Sequence, residues 1–336
     1  MSTGVRLPGI RWRRVVELGF FLAGLTLLVI VVSRFPLADI GGACLRIGPW
    51  VALMPFVALA WIACNARGLQ TLMGGRVRWR DLVWMRLVGD GYNNLLPLAG
   101  LGGEPFKLKY LTRFIPSADA LTALVRDRLV ENAVGFLFTA TWLAYSLGHF
   151  ELPQPLRLAI AVYVGAATLI AGTYLVVLST QLPGRTAAAI VRHFGAGGCA
   201  TERLPKARLA RAMVWYLCGR LLGLVEVGAL LYLLGLGLQP AATGFAYSTL
   251  HAAGFISFAI PQGLGVFEGT SVYLFDVLHL AGALGVAFVL ARRGRLLMVS
   301  LLGVTLHVVG GPLWRVRAAR RTSMASTGPA ASPDVT

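Results

Sequence analysis

The residues best suited to chemistry in this sequence are charged groups inside apolar runs. Arg126, Asp127, Arg128 and Glu131 lie near the start of one run, and spacings of three and four put Asp127 and Arg128 on the side of Glu131. Arg292, Arg293 and Arg295 interrupt another. A helix over 281–312 would be ~48 Å long and would carry Arg292 ~18 Å along it, against a hydrocarbon core of ~30 Å. A charge at that depth costs at least ~2.5 kcal/mol on insertion scales, so such residues generally face a partner or an internal cavity. For Arg126 the alternative is a helix-end arginine that snorkels to the surface.

Two glutamates are their natural partners. Glu104 closes the segment Asn93-Asn94-Leu-Leu-Pro97 to Gly102-Gly103, and Glu268 closes Ile260-Pro261-Gln262-Gly263-Leu-Gly265-Val-Phe267. Each is expected near the N-terminus of the half-helix after the break, where a negative charge is favourable, so capping is a role beside any contact with a ligand. Asn93 and Asn94 either donate into a cavity or satisfy backbone groups freed by the break. Arg220 and Glu226 share one apolar run and are a further candidate buried pair, whereas Arg67 suits a membrane interface.

Such residues must be positioned by membrane helices. The 336 residues are 57% hydrophobic and 13% charged, which leaves too little polar surface for a water-soluble globule. Spans of ~20 residues are expected near 15–33, 50–72, 118–147, 156–179 and 213–236, with a last one in 281–312. The apolar stretches 82–114 and 241–279 are broken by Pro and Gly and read as re-entrant hairpins, because irregular backbone at membrane depth must be buried in protein or line a wet cavity. The expected fold is therefore all-α, with about six spans and two hairpins. Residues 1–315 form the membrane domain and 316–336 a disordered basic and polar tail.

The net charge of +17 comes from Lys and Arg clustered between apolar runs, at Arg6–Arg14, Arg76–Arg86, Arg185–Arg211 and Arg315–Arg321. This positive-inside pattern places both termini in the cytoplasm and favours an anionic lipid surface over nucleic acid. The first apolar run lacks a small-residue cleavage site and reads as a retained helix.

The two breaks are related. Pro97 and Pro261, Glu104 and Glu268, and Arg128 and Arg292 are each 164 positions apart, with an odd number of expected spans between the copies. That describes an inverted repeat, with halves centred near 82–147 and 241–312 and a site at their interface.

Other chemistry lacks its residues. The cysteines have no C-x-x-C spacing, the histidines no H-E-x-x-H, and there is no P-loop, D-G-x-x-A-R motif or nucleophilic triad. No cofactor, metal or catalytic activity is expected. A set of arginines, Arg126, Arg128, Arg292, Arg293 and Arg220, among half-helix ends suits an anionic or zwitterionic lipid head group. The rival is a membrane-embedded transferase with acidic metal ligands, for which only the scattered Asp81, Asp90 and Asp119 are on offer.

At these motifs, with Val125-Arg126-Asp127-Arg128-Leu129 and Ala291-Arg292-Arg293, the chain resembles the membrane region of lysylphosphatidylglycerol synthases and the stand-alone, flippase-like proteins that share it. The resemblance spans about 10–315. It implies a multi-pass protein of the bacterial inner membrane that moves a phospholipid, hopanoid or related lipid, or serves an enzyme of lipid or glycolipid synthesis as a partner. Without the lysyl-transferring domain, the chain is not expected to make lysylphosphatidylglycerol. Gln262 and Phe267 stand where Gly or Ser and Arg are expected, which leaves a less charged lipid open.

Overall fold

The computed structural model describes residues 36–95, 102–193, 203–257, 260 and 263–326, with isolated positions at 26, 30 and 33. Among these residues all regular structure is helical. The elements are α1 (Leu37–Val51), α2 (Met54–Leu72), α3 (Trp79–Leu95), α4 (Glu104–Leu111), α5 (Ser117–His149), α6 (Gln154–Ser179), α7 (Leu182–His193), α8 (Lys206–Leu233), α9 (Pro240–Ile256), α10 (Val266–Val277) and α11 (Gly282–Ser326).

Proline sets several of the boundaries. Pro116, Pro153 and Pro205 stand at the N-caps of α5, α6 and α8 with extended ψ of 149°, 141° and 134°. A proline ring fixes φ and removes a backbone donor, so each blocks the preceding segment and leaves the next free to start. Pro55, in the first turn of α2, separates that helix from α1 in the same way. Residues 37–51, which carry no expected element, therefore form a helix of their own. The expected span at 15–33 lies outside the described residues apart from isolated helical positions. The last helix is longer than expected and runs on to Ser326, past the boundary at 315.

Both broken stretches are helix–break–helix units, α3 with α4 and α9 with α10, and the two legs of each pack together. The centres of the breaks, with Pro97 and Pro261, lie outside the described residues. α11 runs alongside both units, against α3 and against α10. Its crossing with α3 is a backbone contact: a Cβ on Gly303 would strike the Leu87 carbonyl, and one on Gly91 would lie 2.9 Å from the Ser300 carbonyl oxygen. Close approach through small residues is how helices gain dispersion energy where water supplies no hydrophobic drive.

The largest apolar core joins α1, α2, α5 and α6 with α8, α9, α10 and α11, and a second lies under the first broken unit between α2, α3, α4 and α5. The outer surface is apolar too. α6 presents Leu158, Val162, Leu169 and Val176, which are 64% to 72% exposed. α6 and α8 are long and apolar enough to cross a bilayer. A stripe of this kind is unfavourable in water and at home in hydrocarbon.

Candidate functional site

The charged residues of the interior gather into two polar centres. The first lies where α3, α4, α5 and α8 meet. Arg86, two turns inside α3, is ion-paired with Asp127 and stands 3.7 Å from Glu131 Oε2. Tyr216 of α8 donates its hydroxyl proton to the same Asp127 carboxylate. Arg128 bridges Glu104 and Glu131, the latter at 3.6 Å. Lys107 donates to Asp90 at 2.7 Å and to Glu104 at 3.2 Å. Arg86 and Lys107 are each 2% exposed, so both charges depend on these partners. Removing one member of such a pair costs ~3–5 kcal/mol because the other stays buried and uncompensated.

The break between α3 and α4 is held by the same centre. The Gly103 N–H donates to Asn93 Oδ1 at 2.7 Å, and Asn93 Nδ2 reaches Glu104 Oε1 at 3.5 Å. Asn93 thus satisfies backbone freed by the break. Gly103 has an ordinary φ of −93°. It must be glycine for lack of room, since a Cβ there would collide with the Gly89 carbonyl. Gly102 beside it is half-buried. Asn94 turns away and donates to Ser300 Oγ on α11 at 3.1 Å.

The second centre lies between α8, α9, α10 and α11. Gly263 and Gly265 have φ of 56° and 77°, a left-handed backbone that glycine adopts without cost. The chain turns through them into α10, where Glu268, wholly buried, accepts from the Gly265 N–H at 2.8 Å. This is the carboxylate half of a capping box. The other oxygen of Glu268 takes Arg293 Nε at 2.5 Å. Arg295 donates to Glu226 at 2.8 Å.

One expected pairing is corrected here and one open choice is decided. Of the arginines expected to partner the glutamates, Arg293 and not Arg292 takes Glu268. Successive residues point ~100° apart around a helix, so when Arg293 faces α10, Arg292 turns toward α8 and α9. Arg220 does not pair with Glu226. It bonds instead to the Glu131 carbonyl at 3.3 Å and to the Tyr247 hydroxyl at 3.5 Å, while Glu226 serves Arg295. Of the remaining arginines, Arg126 is half-buried one position before Asp127. Arg67 lies exposed over the Trp79 ring at 4.7 Å, as an interfacial residue would.

Arg86, Asp90, Lys107 and Tyr216 carry the first centre and are not among the residues the sequence motifs select. Arg86 falls in a basic stretch that reads as a loop; the signal was its place two turns beyond the Trp79 helix start. Tyr247 and His251 on α9 carry no sequence signal at all. Among the described residues no three His, Cys, Asp or Glu side chains are placed to hold a metal ion.

Searches of curated proteins and of solved structures each gave no match. The family model for the lysylphosphatidylglycerol synthase TM region matches residues 15–303, which covers both broken units and both polar centres. The chain is therefore a membrane protein that belongs to the family of the lysylphosphatidylglycerol synthase TM region.

Proposed function

We propose that this protein is a multi-pass lipid translocase of the bacterial inner membrane. The reading fits the family's lipid-related role and rests on one observation above all. Each of two broken helices is tied, by a glutamate just after its break, to an arginine on the long helix that follows, Glu104 to Arg128 and Glu268 to Arg293. Paired interrupted helices of this kind are the elements around which repeat-built transporters alternate. In this reading the two units rock against α5 and α11, exposing a lipid head group first to one leaflet and then to the other. Arg128 and Arg293, balanced by carboxylates, act mainly as latches. Asn93 holds the first break, and Arg126, Arg220 and Arg292 face the head group.

The test is leaflet-resolved lipidomics with and without the gene. Translocation predicts a lipid whose outer-leaflet share falls on deletion while its total stays constant. A lipid that disappears from both leaflets would overturn the reading in favour of synthesis, by the protein itself or by an enzyme partner it supports. The transferase alternative gains little from the geometry, since Asp90 is bound to Lys107 and Asp119 to Arg76 at different places.

A further inference from the structure

The charges of the first centre form one continuous row of contacts, from Asp90 to Lys107, Glu104, Arg128, Glu131, Arg86 and Asp127. Acids and bases alternate along it, and an acid stands at each end. Each base has one close carboxylate: Lys107 holds Asp90 at 2.7 Å, Arg128 holds Glu104 and Arg86 holds Asp127. Glu131 is the acid left over. The two arginines beside it stand 3.6 Å and 3.7 Å from its Oε2, beyond hydrogen-bond reach.

Glu131 is nevertheless 7% exposed, and its Oε2 has no hydrogen-bond partner among the described residues. Its Oε1 has only the Asn65 amide at 3.4 Å, and Asn65 Oδ1 is itself buried without a donor. A buried carboxylate without a charge-assisted hydrogen bond is costly, and the neutral acid is not. Protonated, Glu131 also supplies a donor to a site that has acceptors to spare. A metal cation would have to sit between two guanidinium groups, which repel it.

The other groups facing Glu131 leave this balance in place. Asp127 and Arg128 share its helix, α3 brings Arg86, and α2 brings the neutral Asn65. From α8 come Tyr216, which is bonded to Asp127, and Arg220, which reaches the main-chain carbonyl of Glu131 and not its carboxylate. His251 of α9 lies a turn further on, beside Gly135. Arg126 is turned ~140° away around α5. The described charged side chains of α6 and α7 are the exposed Arg157 and Arg185.

We propose that Glu131 holds one exchangeable proton and that this proton sets the Arg128 latch. With the proton in place, Arg128 belongs to Glu104 and fastens the unit of α3 and α4 to α5. When the carboxyl O–H breaks, the proton passes to water beside Arg128, which is 40% exposed. The carboxylate that remains draws Arg128 from Glu104 and frees the unit. This deepens the translocase reading and rests on it for the purpose of the switch: one proton exchanged for each cycle of lipid movement.

The experiment uses the full-length protein reconstituted in liposomes and has two readouts. Infrared spectroscopy at neutral pH, where ordinary carboxylates are ionised, is expected to show a protonated carboxylic acid. The band should vanish in Glu131→Gln and persist in the exposed Glu151→Gln. Gln resembles the protonated acid, so Glu131→Gln should fold; a variant that does not fold counts against a neutral Glu131, and a missing band overturns the site. The second readout is leaflet exchange of a fluorescent phosphatidylglycerol. An imposed pH gradient should speed it several-fold in the unaltered protein and leave Glu131→Gln indifferent. Exchange indifferent to the gradient in the unaltered protein, or driven by a sodium gradient instead, overturns the coupling and spares the translocase reading. A band that depends on Glu131, with no exchange of the probe under any condition, keeps the proton site and removes the translocase.

Discussion

Glu268 and Arg293 are joined at 2.5 Å on two different helices, and the same carboxylate caps its own helix at the Gly265 N–H. One side chain thus does two tasks, closing the turn at the second break and fastening α10 to α11. Glu104 has the corresponding bond to Arg128, but there the break is closed by Asn93 instead.

That difference makes the two latches unequal under substitution. Glu268→Gln is expected to lower stability by ~3–5 kcal/mol, since it leaves Arg293 facing an uncharged partner within the protein. Glu104→Gln should cost less, because Arg128 keeps Glu131 and Lys107 keeps Asp90. The double variant Glu268→Gln with Arg293→Gln should be less damaging than the two singles added. Thermal unfolding of the purified variants measures all four, and additive effects would show that the pair is not coupled.

Tyr216 is expected to matter through Asp127. Tyr216→Phe removes one donor from a buried carboxylate that retains Arg86, for a loss of ~1–3 kcal/mol. Arg86→Met removes the charge partner and should be the more severe, at ~3–5 kcal/mol. A larger loss for Tyr216→Phe would mean that the hydroxyl, and not the guanidinium, holds Asp127 in place.

The crossing of α3 and α11 predicts opposite outcomes for two glycines of one helix. Gly303→Val places a side chain against the Leu87 carbonyl and should separate the helices, with loss of folded protein. Gly294→Ala meets nothing within 4 Å. In a helix interior it should be neutral or stabilising by up to ~1 kcal/mol. Expression level and melting temperature of the two variants give the comparison.

Asp90→Asn separates the functional readings. As a structural partner of Lys107, Asp90 should lower stability modestly when neutralised, while the cellular lipid pool keeps its composition, because Glu104 still reaches Lys107. Loss of a particular lipid from the pool, with the protein folded and present, would favour a transferase.

Much of the positioning was legible in the sequence. Apolar runs gave the long helices, and prolines at 116, 153 and 205 marked where three of them start, because ring closure acts through local backbone geometry. The breaks and their glutamates could be read from spacing, since Pro, clustered Gly and an acid have few uses inside an apolar run. What spacing could not decide was rotation. Whether Arg292 or Arg293 meets Glu268 depends on ~100° of helix turn, and that is fixed by how α11 packs on α3 and α10. Arg86 looked like a loop residue and Tyr247 and His251 like ordinary members of an apolar helix. Only the packing of α3, α5, α8 and α9 brings Arg86 to Asp127 and His251 to Thr139. The sequence by itself determined that charges would be buried; the tertiary structure decided which would be cancelled, because cancellation needs contact across helices and is not carried by any one of them.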